Sequence, residues 1–71
     1  MVDSVESYFQ ARSNGEIYRY AIGHMEKLLI EKALARSLGN QLLAAKILGI
    51  NRNTLRTKIR KLHIDVGQFV S

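Results

Sequence analysis

The 71-residue sequence predicts an all-α fold of four helices. Three observations point there. Proline is absent, and Leu, Ile, Ala, Lys and Arg dominate over sparse Val and Thr, a composition that favours helix over strand. Apolar residues recur at spacings of three and four, the period of a helix face. Between the periodic stretches stand Ser13-Asn14-Gly15, Gly39-Asn40 and Gly49-Ile50-Asn51, residue types that end one helix and cap the next.

The first helix is expected over about 4–12, where Val2, Val5 and Phe9 keep helical spacing with Tyr8 alongside. Asp3 or Ser4 can cap it by accepting from first-turn amides. Ser13 and Glu16 have the spacing of a capping box, in which each side chain satisfies the other residue's backbone donor. A second, longer helix follows over about 16–38. Its stripe of Ile22, Met25, Leu29 and Ala33 is widened by Tyr18, Ala21, Leu28, Ile30, Leu34 and Leu38. A helix of ~22 residues is about 33 Å long, and the rest of so short a chain cannot cover that apolar girth. The first two helices therefore read as a dimerisation unit that pairs with an identical chain, with Val5, Phe9, Tyr18, Ile22, Met25 and Leu29 at the interface. Small size argues the same way, since a chain of this length buries only ~60 % of its unfolded surface. With no cysteine, neither disulfides nor a thiolate metal site can compensate.

Gly39 is expected to end the long helix in a left-handed conformation. Asn40 then caps a third helix over about 41–48, with Leu43, Ala44, Ile47 and Leu48 inward and Gly49 closing it. Asn51 caps a fourth over about 52–62, whose buried stripe is Leu55, Ile59 and Leu62. In the tail, 63–71, Ile64, Val66, Phe69 and Val70 alternate loosely with polar residues, and docking and fraying both fit. The whole chain, 1–71, reads as one domain.

The net charge of +5 is unevenly placed. Residues 1–31 carry three basic and five acidic side chains, whereas 32–64 carry eight basic and no acidic ones. Such a block suits a polyanionic partner. No window approaches the ~18 apolar residues of a membrane span. The N-terminus, with Asp3 and Glu6, lacks the layout of a secretory signal. His24 and His63 have no second metal ligand at helical spacing, and no glycine-rich phosphate loop is present. The expectation is a cytoplasmic, non-catalytic chain with no cofactor, no metal, no small-molecule ligand and no membrane contact.

The last two helices have helix-turn-helix spacing. Ala45, four residues before Gly49, is small where two helices meet. Gly49 supplies the turn, Ile50 plugs the elbow, and Leu55 anchors the second helix on the first. Where older helix-turn-helix patterns place a branched aliphatic, three residues after Leu55, this chain has Lys58, and Ile59 takes the burial role. At about 100° per residue, Asn53, Arg56, Thr57 and Arg60 cluster opposite Leu55. Arg52 and Lys58 flank the stripe, and Lys61 extends the exposed face. Arg can donate a bidentate pair to guanine, Asn can pair with adenine edges, and Thr can meet a thymine methyl. First-turn amides near Asn40-Gln41 and Asn51-Arg52 suit phosphate oxygens.

The strings Gly39-Asn40-Gln41, Ala44-Ala45, Leu48-Gly49-Ile50-Asn51-Arg52 and Thr54-Leu55-Arg56, with Lys58, resemble the Fis-type helix-turn-helix. That domain occurs in a small nucleoid-associated, DNA-bending protein. It also forms the C-terminal DNA-binding domain of nitrogen-regulatory (NtrC-type), sigma-54-dependent transcriptional activators, which Asn51-Arg52-Asn53-Thr54-Leu55 with Lys58 resembles closely. The resemblance implies a homodimer whose first two helices form a four-helix core, bound to a pseudo-palindromic duplex. It implies that Asn51, Arg52, Thr54, Arg56 and Lys58 divide contacts between bases and backbone, with Asn40 at the backbone. Leu42 and Thr57 depart from the nucleoid protein's pattern, each removing a polar or cationic contact. The activator version is the expected one, its receiver and ATPase domains lying outside this stretch. A small DNA-bending protein, or a dimerisation or interaction domain whose basic helix meets an acidic partner or an anionic membrane, are the alternatives.

Overall fold

A computed structural model describes residues 3–70, with side chains from residue 5 onward. The helix cap expected at Asp3 or Ser4, the contribution of Val2 and the end of the tail at Ser71 lie outside the described part. The elements are α1 (Asp3–Ala11), α2 (Ile17–Arg36), α3 (Gln41–Leu48), α4 (Arg52–Lys61) and a 3₁₀ turn, Val66–Phe69. No strand is present among the described residues. The all-α, four-helix expectation holds, α3 to the residue.

α2 is the spine, packing against every other element, and α1 packs chiefly on α2. The molecule is elongated along it, 37 × 23 × 21 Å. Its core is confined to the C-terminal end: Ile30, Ala33 and Leu34 of α2, Ala44 and Ala45 of α3, Leu55 and Ile59 of α4, and Ile64 beyond. Leu48, Ile50, Leu62, Val66 and Phe69 pack around these residues. Leu34 and Leu55 are completely buried. Ser37, the one buried polar residue among those described, donates its hydroxyl to the Leu34 carbonyl at 3.3 Å, which removes the cost of an unpaired group.

Three helices close by one device. After α2, Leu38 (φ 54°) turns left-handed and the Gly39 amide donates to the Leu34 carbonyl at 2.8 Å. After α3, Gly49 (φ 77°) does so and the Ile50 amide reaches the Ala45 carbonyl at 3.0 Å. After α4, His63 (φ 56°) does so and the Ile64 amide reaches the Ile59 carbonyl at 3.0 Å. This six-to-one closure satisfies carbonyls that a helix end would leave orphaned.

Four expectations are corrected. α2 ends at Arg36, not at residue 38, because the left-handed turn begins at Leu38 rather than at Gly39. Gly39 is left-handed as well (φ 83°), and a Cβ there would meet Val70 Cγ2 at 2.7 Å, so turn and tail both require glycine. The Ser13–Glu16 capping box is absent: Glu16 caps α2 without a side-chain hydrogen bond, and its amide donates to the Ser13 carbonyl at 3.1 Å. Leu43 and Ile47 do not face inward. They are 45 % and 48 % exposed, because α3 presents its small residues, Ala44 and Ala45, to the core. At the ends of α1 and α4 the boundaries shift by one residue, to Ala11 and Lys61.

The tail docks. Ile64 is buried, Val66 and Phe69 pack on the core, and Asp65 caps the 3₁₀ turn by accepting from the Gly67 amide at 3.0 Å.

Candidate nucleic-acid interface

The elbow is built as the residues require. Ala45 is buried, so the two helices approach closely; Ile50 packs on the core beside it, and Leu55 is fully enclosed. Both short helices carry an asparagine cap. Asn40 Oδ1 accepts from the Leu43 amide at 3.0 Å, and Asn51 Oδ1 accepts from the Asn53 amide at 2.7 Å. Each cap satisfies one first-turn donor.

With Leu55 and Ile59 buried, the opposite face of α4 is turned to solvent. Arg52, Asn53, Thr54, Arg56, Thr57, Arg60 and Lys61 are all exposed, and α4 contains no acid. Thr57 donates its hydroxyl to the Asn53 carbonyl at 3.0 Å. In this rotamer the Thr57 oxygen can only accept, and its methyl is free for an apolar contact. At the junction of α3 and α4, a shallow concavity is lined by Gly39, Asn40, Gln41, Leu42, Arg52 and Arg56. It joins the positive end of α3 to two guanidiniums, a combination suited to a phosphate group. Leu42, 49 % exposed, forms an apolar spot on its wall.

Lys58 stands apart from this face. It is half-buried, and its Nζ donates to Glu26 Oε2 of α2 at 2.7 Å. The sequence reading did not single out Glu26, because 32 residues separate the partners. The only signal for it was a lysine where helix-turn-helix patterns have an aliphatic residue.

The interface residues expected on the first two helices are uncovered in a single chain. Val5 is 65 % exposed, Phe9 56 %, Tyr18 79 %, Ile22 46 %, Met25 48 % and Leu29 51 %. Val5, Phe9, Tyr18, Ile22 and Met25 line one apolar groove between α1 and α2. On another side of that helix pair, Tyr8 Oη and His24 Nδ1 share a 2.7 Å hydrogen bond, Tyr20 stacks on His24, and the Arg12 guanidinium lies 4.0 Å from the Tyr20 ring centre. These contacts hold α1 on α2 and leave His24 a structural partner of two tyrosines.

A family model described as "Bacterial regulatory protein, Fis family" matches residues 21–62, from mid-α2 through the whole helix-turn-helix. The chain belongs to that family. Its helix-turn-helix is accordingly a DNA-binding domain of the Fis type. Among relatives, the DNA-binding transcriptional regulator NtrC of Azospirillum brasilense is 42 % identical over 66 residues, which is 87 % of this chain and 14 % of the relative. NtrC of Rhizobium meliloti is 45 % identical over 60 residues, 84 % of this chain and 12 % of the relative. The DNA-binding protein Fis of Buchnera aphidicola is 38 % identical over 62 residues, covering 82 % of this chain and 63 % of that protein. The Fis-family chain thus spans about one-seventh of its NtrC relatives and under two-thirds of Fis. No solved structure gives a significant match. No helix among the described residues is long and apolar enough to cross a membrane.

Proposed function

We propose that this Fis-family domain binds DNA as a homodimer and serves as the targeting module of a sigma-54-dependent transcriptional activator of the NtrC type. One observation carries the reading: α4 is anchored by Leu55 and Ile59 while Asn53, Arg56, Thr57 and Arg60 stand exposed on its far side. That is the arrangement needed to lay a helix in a major groove with base-reading side chains outward. Arg52, Arg56 and Asn53 are assigned to base edges and nearby phosphates, Thr57 to a thymine methyl. Asn40, Gln41, Asn51, Thr54, Arg60 and Lys61 are assigned to the backbone on either side.

Two copies pair through α1 and the first half of α2, where Val5, Phe9, Tyr18, Ile22, Met25 and Leu29 are exposed. The two-fold of the pair sets the inverted-repeat symmetry of the site. Higher identity to the NtrC relatives than to Fis favours the activator over a small nucleoid-associated protein. Either parent acts in the cytoplasm, on the nucleoid, and the chain itself acts by binding rather than by catalysis.

The test is a salt titration of duplex binding. With about six phosphates neutralised per complex, log K should fall with log salt at a slope of about −5. Arg56→Ala should lower affinity by about 1–3 kcal/mol, confined to particular base pairs if it reads bases and uniform if it holds a phosphate. A salt-independent affinity, or a silent Arg56→Ala, contradicts the assignment of α4.

A further inference from the structure

We infer that Glu26 and Lys58 form a positioning tie that fixes the angle of the recognition helix on the spine of the dimer, and that Lys58 is not itself a DNA contact. The inference rests on the homodimeric reading above and assigns Lys58 differently from what family resemblance implies.

The placement of the two residues carries it. On α4, Lys58 lies about 60° from the buried line of Leu55, and about 140° or more from Asn53 and Arg60. Its ammonium is turned to Glu26 on α2, away from the face that carries Asn53 and Arg60, although Thr54 and Lys61 lie only about 40–60° from it on the helix. On α2, Glu26 stands four residues before Ile30 and seven before Ala33, so it continues the buried stripe of that helix beyond the end of the core. Glu26 lies just beyond the buried stripe of α2, and Lys58 lies at the edge of the apolar stripe of α4 formed by Leu55, Ile59 and Leu62. They meet at 2.7 Å with side chains 35 % exposed, and they form the only ion pair among the described residues. Leu29, Ile30, Leu48 and Ile50 lie beside the pair, so apolar side chains of the elbow flank it on one side. Past it, Arg19, Ile22 and Gly23 of α2 and Lys61 and Leu62 border an open cleft. The tie is the polar contact that bridges α2 and α4 beside this cleft.

A half-exposed ion pair contributes little to stability, so its role is geometric. Groove recognition tolerates only small angular errors in the residues that present side chains to base edges. In a dimer, α2 carries both the pairing face and α4. Any rocking of α4 on α2 therefore changes the separation and tilt of the two recognition helices together. Pairing also hides the Lys58 charge from phosphates on the flank, where it would reward every sequence equally.

The test uses the 71-residue chain, a duplex selected by it from a random pool, and a random-sequence duplex of equal length. Glu26→Gln and Lys58→Met should each lower the affinity ratio of selected to random duplex by about five-fold, and the double variant by no more than either single one. Lys58→Arg, which keeps an ion pair, should retain the ratio. Thermal melting should be nearly unchanged in all of them, and Lys58→Met should leave the slope of log K against log salt unaltered. If Lys58→Met flattens that slope by about one and weakens both duplexes alike, Lys58 holds a phosphate and the tie is refuted. Ratios equal to wild type in both single variants, or a loss that tracks a fall in melting temperature, refute it as well. A wild-type chain that binds neither duplex would instead sink the DNA-binding reading beneath it.

Discussion

The two halves of α2 face different fates. From Ile30 onward the chain closes on itself: every buried residue among those described lies between Ile30 and Ile64. Before Ile30 none of the described side chains is buried, although Val5, Phe9, Tyr18, Ile22, Met25, Leu28 and Leu29 are all apolar and large. The helix-turn-helix end has capped helices and an enclosed Leu55. The other end is a helix pair whose large apolar side chains are exposed. One helix serves both; in the proposed homodimer a second chain supplies the burial missing from the first, and the DNA-reading ends are doubled. Charge follows nearly the same division: four of the six acids precede Ile30, and the basic block of residues 32–64 lies in the half assigned to DNA.

The sharpest way to break this contrast is to strike one end and watch the other. Leu55→Ala empties a fully enclosed site and should cost about 2–5 kcal/mol. That is a large share of the ~4–10 kcal/mol expected of a domain this size. Urea unfolding should show the loss for the whole chain, because α4 then has no anchor on α3. Met25→Asp should leave the buried core intact and separate the two copies instead. Sedimentation equilibrium should report a mass halved relative to wild type while the helix-turn-helix keeps its fold. An unchanged mass would mean that the exposed stripe is not the pairing face. The smallest effect is expected at the turn between α2 and α3. Leu38 holds a left-handed conformation that favours glycine, so Leu38→Gly should raise stability by about 0.5–1 kcal/mol after the extra chain entropy is deducted. Denaturation midpoints would reveal it.

What the sequence disclosed follows the range of the physics involved. α3 was legible to the residue because Asn40 and Gly49 bracket it with local chemistry. The end of α2 was not, because Leu38 rather than the neighbouring glycine begins the turn, which the Gly39–Leu34 closure imposes and no propensity reveals. Leu43 and Ile47 were misplaced because apolarity was equated with burial, whereas close packing at the elbow selected the two alanines. The outward set on α4 emerged from helical periodicity. The Glu26–Lys58 pair did not, since nothing local links α2 to α4 across so many residues.

The central claim is that two chains, joined by α1 and the first half of α2, present two recognition helices to one duplex. Its most direct test is the mass of the complex on a selected duplex, measured by sedimentation for wild type and for Met25→Asp. The account predicts two chains per duplex for the wild type, and loss of that complex in the variant. One chain per duplex, with equal affinity for wild type and Met25→Asp, would contradict it.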